Sequence, residues 1–460
     1  MPRLISLISL LVASFVLALA SAASAATPAR AKEPKPTTKF TQPFSVHRTP
    51  GSQVQRNDCA EVKSTLRAKA RSLKKPTKAI CVDHTPPSAA AITMMEKKRA
   101  AKVKESAPAP FPPVCVNTNS DLNWKQTRHI GCRAWLWSRP EVWRADSTGN
   151  VVQVGAVQVR TIQEASTPTV YGQTQWYHRI STQVMNINGQ VAGMKMQGSG
   201  ACFTPGSSAP NCAAQFPNLI PLQSVDKLTD QPEGGVTFIQ TAVTTPGQIA
   251  YSSSEITIKF ELAGATKIGG VESKLWQTDY IRCDNALPGV TSRGCVFFRH
   301  QPTYAVSRTG MLSLYAAHLR DALKSGLPGA ATAADGPNNT PLRRLTDQTL
   351  RTQNGDRACP SRYPRPKTPV EHECDEYPFR STWQGARTAA DANPNTPWTA
   401  RTHDWCQIFD NLTPIGVTGP NGYSVCMIPK THNGGGGNDL LKFYNDNRII
   451  EKDGYFVHTY

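Results

Sequence analysis

The sequence predicts a multidomain chain with a β-rich antiparallel sandwich or barrel-like middle domain over residues 115–305. A small α+β domain follows over residues 341–460. Three observations predict this. Charged residues are sparse at 18%, and 36 Pro and 32 Gly punctuate the chain, a balance that favours strands and loops over long helices. In the middle of the chain, short alternating apolar and polar runs recur between turn residues. Beyond residue 341 helical and strand periods mix, over a length suited to a small independent domain.

Taken in order, residues 1–25 predict a cleaved signal peptide. Arg3 supplies the basic start, Leu4 to Ala20 the apolar run, and Ala23-Ser24-Ala25 the small-residue cleavage site. No later run is apolar enough to span a bilayer, so a secreted protein with no transmembrane segment after processing is expected. Residues 26–114 form a basic Pro/Lys-rich region, partly helical or disordered. Disorder is expected to about residue 58. Helices are expected over Asp58–Lys75, with Val62, Leu66 and Ala70 near one face, and over Ile92–Glu105. The Pro-rich run at 107–113 reads as a linker.

In the middle domain, Val151–Ile162, Thr174–Ile187 and Ile249–Leu262 alternate as strands, and Asn188-Gly189 signals a hairpin turn. Trp124, Trp135, Trp137 and Trp143 fit a sugar-binding face or core packing near a disulfide, and packing is the favoured reading. Residues 306–340 predict a helix and linker. Leu312, Leu314, Tyr315, Leu319 and Leu323 make an apolar stripe, and Gly326-Leu327-Pro328-Gly329 ends the helix. In the last domain Leu440, Leu441 and Tyr444 are expected on the buried side of a helix. Ile449-Ile450 and Tyr455–Val457 are expected as strands around an Asp453-Gly454 turn.

The twelve cysteines fall in sequence-local couples: Cys59/Cys81, Cys115/Cys132, Cys202/Cys212, Cys283/Cys295, Cys359/Cys374 and Cys406/Cys426. An even count in an exported chain argues for disulfides, with nearest-neighbour pairing the simplest connectivity. No CxxC pair is present, which argues against zinc–cysteine sites. The net charge of +18 is uneven: residues 27–114 carry 18 Lys/Arg against 6 Asp/Glu, and residues 341–460 carry 14 against 13. A basic N-terminal region attracts polyanions, such as nucleic acid or an acidic envelope polymer, or serves as a solvated tail.

Two segments of the last domain carry chemistry. The first is Cys374-Asp375-Glu376-Tyr377-Pro378-Phe379, and the second is His432-Asn433-Gly434-Gly435-Gly436-Gly437-Asn438. Cutting a phosphodiester needs a base for water and a cation to neutralise the phosphate oxygens. Asp375 and Glu376 offer a base and a metal ligand. Neighbours on a strand face opposite sides, so both serve one site only at a bend or strand end. Asn433 adds a neutral oxygen suited to Mg²⁺ or Mn²⁺, and His432 stands beside it. The glycines, read as a bend, let backbone approach a phosphate.

Together these segments resemble the NucA/NucB deoxyribonuclease family, as seen in long secreted actinobacterial-style members. Ser381-Thr382-Trp383-Gln384-Gly385-Ala386 and Leu441-Lys442-Phe443-Tyr444 add to the likeness. So do the lead-ins Pro341-Leu342-Arg343-Arg344-Leu345-Thr346-Asp347 and Cys359-Pro360-Ser361-Arg362-Tyr363-Pro364. The resemblance covers about the last quarter of the chain and implies a compact ββα-metal-like nuclease domain over residues 341–460. It implies metal-dependent, non-specific cleavage of DNA. Asp375 matches the family's base, Glu376 its neighbouring acid, Asn433 the metal-binding Asn, and Gly435 and Gly437 the glycines of the Asn-x-Gly-x-Gly segment. Departures fall at Arg380, often a small residue in the family, at Gln384, often an acid, and at Gly434, often Arg.

The expected catalytic residues are therefore Asp375, Glu376 and Asn433, with Glu376 and Asn433 as ligands of Mg²⁺ or Mn²⁺. Arg380, His432, Gly435 and Gly437 are expected at the substrate. The expected partner is DNA, gripped by its phosphate backbone without strong sequence preference. The alternative is a non-catalytic exported protein that binds an envelope or extracellular polyanion and carries a degenerate nuclease domain.

Overall fold

The computed structural model describes residues 45–47, 59–102, 111, 115, 123–169, 172–207, 210–215, 217–267 and 272–460. The expected signal peptide, the stretch to residue 58 apart from 45–47, and the Pro-rich run apart from Phe111 lie outside the described residues. The described residues all belong to one compact unit, Thr41–Tyr460. Among them, no helix is long and apolar enough to cross a membrane.

The first expected helix forms over Cys59–Leu73 and buries Val62, Leu66 and Ala70. Their spacing of four puts one apolar face against Ala79 and Cys81 of the Thr77–Asp83 strand. The second runs over Ala89–Ala100, starting earlier than expected because the Ser88 hydroxyl accepts from the Ala91 amide as an N-cap. All six expected disulfides are present, and among the described residues no cysteine is unpaired.

The β-rich region consists of curled, mainly antiparallel sheets. The nine-stranded sheet is built on Ile130–Ala145, Val151–Ser166 and Gln175–Gly189, each antiparallel to the next. The six-stranded sheet is built on Ile249–Glu261, paired with Lys195–Phe203 and Ile281–Asp284. Alternation turns Ala250, Ser252, Ser254, Ile256, Ile258 and Phe260 inward. There they meet Trp176 and Phe238, whose rings stack at 5.4 Å. Each such large apolar side chain contributes about 1.5–3 kcal/mol by burial.

The expected hairpin at Asn188-Gly189 does not form. Gly189 ends its strand opposite Gly155 at φ +67°, where a Cβ would lie 2.1 Å from the Val154 carbonyl oxygen. The next strand belongs to the other sheet, so the glycine conformation serves the crossing rather than a two-residue turn. Trp124 is buried against Phe297 and His178, and Trp137 packs with Met95 and Met185. Trp143 packs on the cluster around Cys59 and Cys81. These three serve packing; the Trp135 side chain lies outside the described residues.

The C-terminal layer draws in elements that precede residue 341. Thr303–Val306 pairs in parallel with Gly454–Thr459, which also pairs with Leu342–Arg343. A second sheet joins His372–Tyr377 to Tyr423–Pro429, and that strand to Ala400–Arg401. The Ser313–Lys324 and Lys430–Asp446 helices pack with Cys426 and Ile428 on one face. Val425 and Met427 meet Ala358, the end of the Gln348–Ala358 helix, on the other. Ile449 and Ile450 are buried but irregular, so the expected pair of closing strands reduces to Gly454–Thr459 alone.

The glycine run is not a bend. Gly434 to Gly437 lie inside the Lys430–Asp446 helix. Each glycine costs a helix about 1 kcal/mol relative to Ala, so local propensity argues for a loop. Tertiary packing prevails: a Cβ on Gly436 would meet the Tyr315 ring at 2.7 Å, and one on Gly435 would meet Leu312 at 2.8 Å. Only glycine lets the two helices approach this closely, and Leu440 and Tyr444 then bury. Leu441, expected inside, is exposed.

The β-rich region is pinned to this layer by ion pairs. Arg128 reaches Asp453 at 2.6 Å and Arg282 reaches it at 2.7 Å. Arg448 returns to Asp284 at 2.6 Å.

Candidate active site

The His372–Tyr377 strand is an edge strand. Its alternation sends Glu373 and Asp375 to the face covered by the Lys430–Asp446 helix, and Glu376 to the opposite face. Glu376 stands one residue from the strand's end, just before the bend at Pro378. All three carboxylates reach a single open cavity of about 420 Å³ at the strand's unpaired edge. Phe379, Arg380, Asn433, Gly434, Gly437 and Leu441 are among its other walls. A neighbouring cavity of about 360 Å³ continues past Glu373, Glu376 and Arg380 to Arg365 and Lys367.

Asp375 is buried, and its Oδ2 lies 2.7 Å from His318 Nδ1. The His318 Nε2 lies 2.9 Å from the Ser424 hydroxyl, which lies 3.3 Å from His403 Nε2. With Nδ1 protonated, the ring donates to the carboxylate and accepts from Ser424. Burial first, then the neighbouring His318, pushes the His403 ring down to about 4, so it is neutral. The order Ser–His–Asp has the distances of a nucleophilic triad. Yet Ser424 and His318 are wholly buried and border neither cavity, so the serine cannot meet a substrate. The chain instead holds Asp375 from behind.

Burial first, then the charge of Asp375, pushes the Glu376 carboxyl up to about 8, with Arg380 opposing the shift. Asn433, expected with Glu376 as a metal ligand, donates from Nδ2 to Glu373 Oε2 at 3.1 Å. This leaves its Oδ1 as an oxygen donor. His432 turns away from the cavity, where its Nδ1 accepts from the Leu314 amide at 3.4 Å and so caps the neighbouring helix. Gly435 packs on Leu312, whereas Gly437 and Gly434 border the cavity with open space beyond them. Gln384 accepts from the Arg343 amide at 2.9 Å and is structural.

The lining offers carboxyl oxygens of Glu373, Asp375 and Glu376 and the amide oxygen of Asn433, beside the disulfide-bonded Cys374, and such oxygens suit a hard cation. Among the described residues, the only three His, Cys, Asp or Glu ligand atoms within 4.8 Å of one another belong to Cys59, Cys81 and Glu141. That pair of cysteines is a disulfide and offers no thiolate. One oxygen each from Glu373, Asp375 and Glu376 do not all lie within 4.8 Å of one another in this structure.

Glu373 was not among the expected site residues; its position two residues before Asp375 on the same strand is the signal that could have found it. His318 carried no such signal, because 57 residues separate it from Asp375 and it stands in a helix read only for its apolar stripe. Arg351 also borders the cavity, unmarked by any local pattern.

No protein-family model, curated protein or solved structure matches this chain. The likeness to the NucA/NucB family therefore rests on the short segments quoted above.

Proposed function

We propose that the chain is a secreted, metal-dependent, non-specific DNA endonuclease. The observation that carries this reading is the meeting of Glu373, Asp375, Glu376 and Asn433 with Arg380 at one open cavity. Asp375 is the base. His318 occupies one of its oxygens, and the other makes no hydrogen bond among the described residues and is available to take a proton from attacking water. Glu373, Glu376 and Asn433 would hold Mg²⁺ or Mn²⁺, which when bound supplies charge neutralisation at the phosphate oxygens. Arg380, exposed at the rim, approaches the substrate backbone. Backbone contacts carry no sequence information, which suits a scavenging nuclease. Six disulfides fit an oxidising, extracellular setting.

Plasmid nicking with Mg²⁺ or Mn²⁺, with and without EDTA, tests the activity. The disulfide-intact protein should cut only with metal. Asp375→Ala should cut about 10²- to 10⁴-fold more slowly, the contribution of a general base. Absence of metal-dependent cutting would favour the alternative, a non-catalytic protein that grips DNA or an acidic envelope polymer. Unimpaired cutting by Asp375→Ala would move the base elsewhere.

A further inference from the structure

The cavity has a second wall that the proposed chemistry does not use. Arg344 is 3% exposed, and its guanidinium lies 3.7 Å from the centre of the Tyr444 ring. Its Nε is buried without a hydrogen-bond partner, as is the Nε of Arg351. Both residues line the cavity with Arg380. Among the described residues, none of the three has an acidic partner within 4.0 Å. The Arg351 guanidinium is held below its ordinary range, by burial first and then by the charges of Arg344 and Arg380, so the three cations sense one another.

Burying an uncompensated cation is costly, and that cost falls on Arg344, with Arg351 half-buried and Arg380 exposed beside it. Elsewhere Arg128, Arg282 and Arg448 meet carboxylates, and the buried Arg401 guanidinium donates to the carbonyls of Ser325, Gly419 and Asn421. The arginines at the cavity keep their donors open. Arg344 is also held by its backbone. Its amide donates to the Asp453 carbonyl at 3.0 Å, and its carbonyl accepts from the Lys452 amide at 2.8 Å. A fixed guanidinium fork with unsatisfied donors is the complement of a tetrahedral oxyanion.

We infer that Arg344, Arg351 and Arg380 form a phosphate-binding pocket that seats a backbone phosphate of a polynucleotide beside Asp375. The identity of the anion rests on the nuclease reading; the pocket itself does not.

The test is equilibrium binding in EDTA, where no metal-dependent cutting can interfere. A fluorescently labelled single-stranded oligodeoxynucleotide and inorganic phosphate serve as probes for the full chain. The oligonucleotide should bind, and binding should weaken at least about tenfold in Arg351→Gln, the loss of one charge-assisted contact. The slope of log affinity against log salt should fall by about 0.7 for each cation removed. Arg380→Gln, at an exposed position, provides a variant whose folding is not in question. Inorganic phosphate should raise the melting temperature of the wild type and not that of Arg344→Gln. Unchanged oligonucleotide affinity and salt slope in Arg351→Gln/Arg380→Gln would overturn the pocket. Binding of inorganic phosphate without the oligonucleotide would overturn its assignment to a polymer. Arginine-dependent binding with no cutting when metal is restored would refute the nuclease and leave the pocket standing.

Discussion

His318 Nδ1 lies 2.7 Å from Asp375 Oδ2, with both side chains buried. The imidazole fixes the carboxylate's direction, and Ser424 fixes the imidazole. His318→Ala should release Asp375 and slow nicking by about 10²-fold, the cost of misplacing a reacting group by about an ångström. His318→Asn, which retains a donor, should recover part of that loss. Steady-state nicking assays of both variants check this. Equal rates for Ala and Asn would remove the positioning role.

Asp453 joins the two parts of the chain. Burial pushes its carboxyl up, but the charges of Arg128 and Arg282 more than reverse this and hold it below the ordinary carboxylate range. A lowered carboxyl contributes stability that is present above its unfolded value, near 4, and is lost as pH falls through the folded value. Asp453→Asn leaves buried Arg128 without its carboxylate and Arg282 with Asp284 alone, and should destabilise by about 3–5 kcal/mol. Because the Asp453 backbone also holds Arg344, the variant should weaken oligonucleotide binding as well. Denaturant melts and the binding assay read the two effects, and a variant as stable as the wild type would contradict the first.

His178 gives the β-rich region a pH dependence. Its ring is held between Ser254 and Gln163, both at 2.8 Å. Burial first, then the nearby Arg133, pushes it down to about 3. The unfolded chain binds this proton near pH 6.5 and the folded chain does not, so stability falls as pH drops from 6.5 towards 3. Between pH 6.5 and 5 the loss assigned to His178 is about 2 kcal/mol at most, at roughly 1.4 kcal/mol for each pH unit. Urea denaturation at pH 7 and pH 5 should show this loss in the wild type and a smaller one in His178→Gln. Identical pH profiles would rule His178 out.

The helical glycines divide into two kinds. Gly434→Ala and Gly437→Ala meet open space, so each should stabilise the helix by up to about 1 kcal/mol while placing a methyl group at the cavity wall. A higher melting temperature with weaker nicking is expected. Gly436→Ala should destabilise, because the new carbon would collide with Tyr315. Thermal melts of the three variants separate the cases, and a stabilised Gly436→Ala would contradict the close helix packing.

The Cys359–Cys374 disulfide ties the strand carrying Asp375 to the end of the Gln348–Ala358 helix. Cys359 Sγ lies 4.0 Å from Glu376 Oε2. Titration with reductant should lower nicking before the near-ultraviolet dichroism of the β-rich region changes. Simultaneous loss of both signals would show that this bond has no local role.

Several features of this protein were set by sequence alone, because they depend on neighbours in the chain. Alternation in Val151–Ser166 and Ile249–Glu261 made strands, since strand period is local. Val62, Leu66 and Ala70 marked a helix face by their spacing. The six disulfides closed between cysteines separated by 10 to 22 residues, where loop closure costs little entropy. Tertiary structure alone decided the rest. Four glycines that favour a loop became helix because Tyr315 and Leu312 left no room for a Cβ at two of them. His318 reached Asp375, and Arg344 and Arg351 reached one cavity, through packing between segments far apart in sequence. Such contacts leave no periodic signal, because the burial that fixes them acts at a distance along the chain and outweighs the preferences of any short segment.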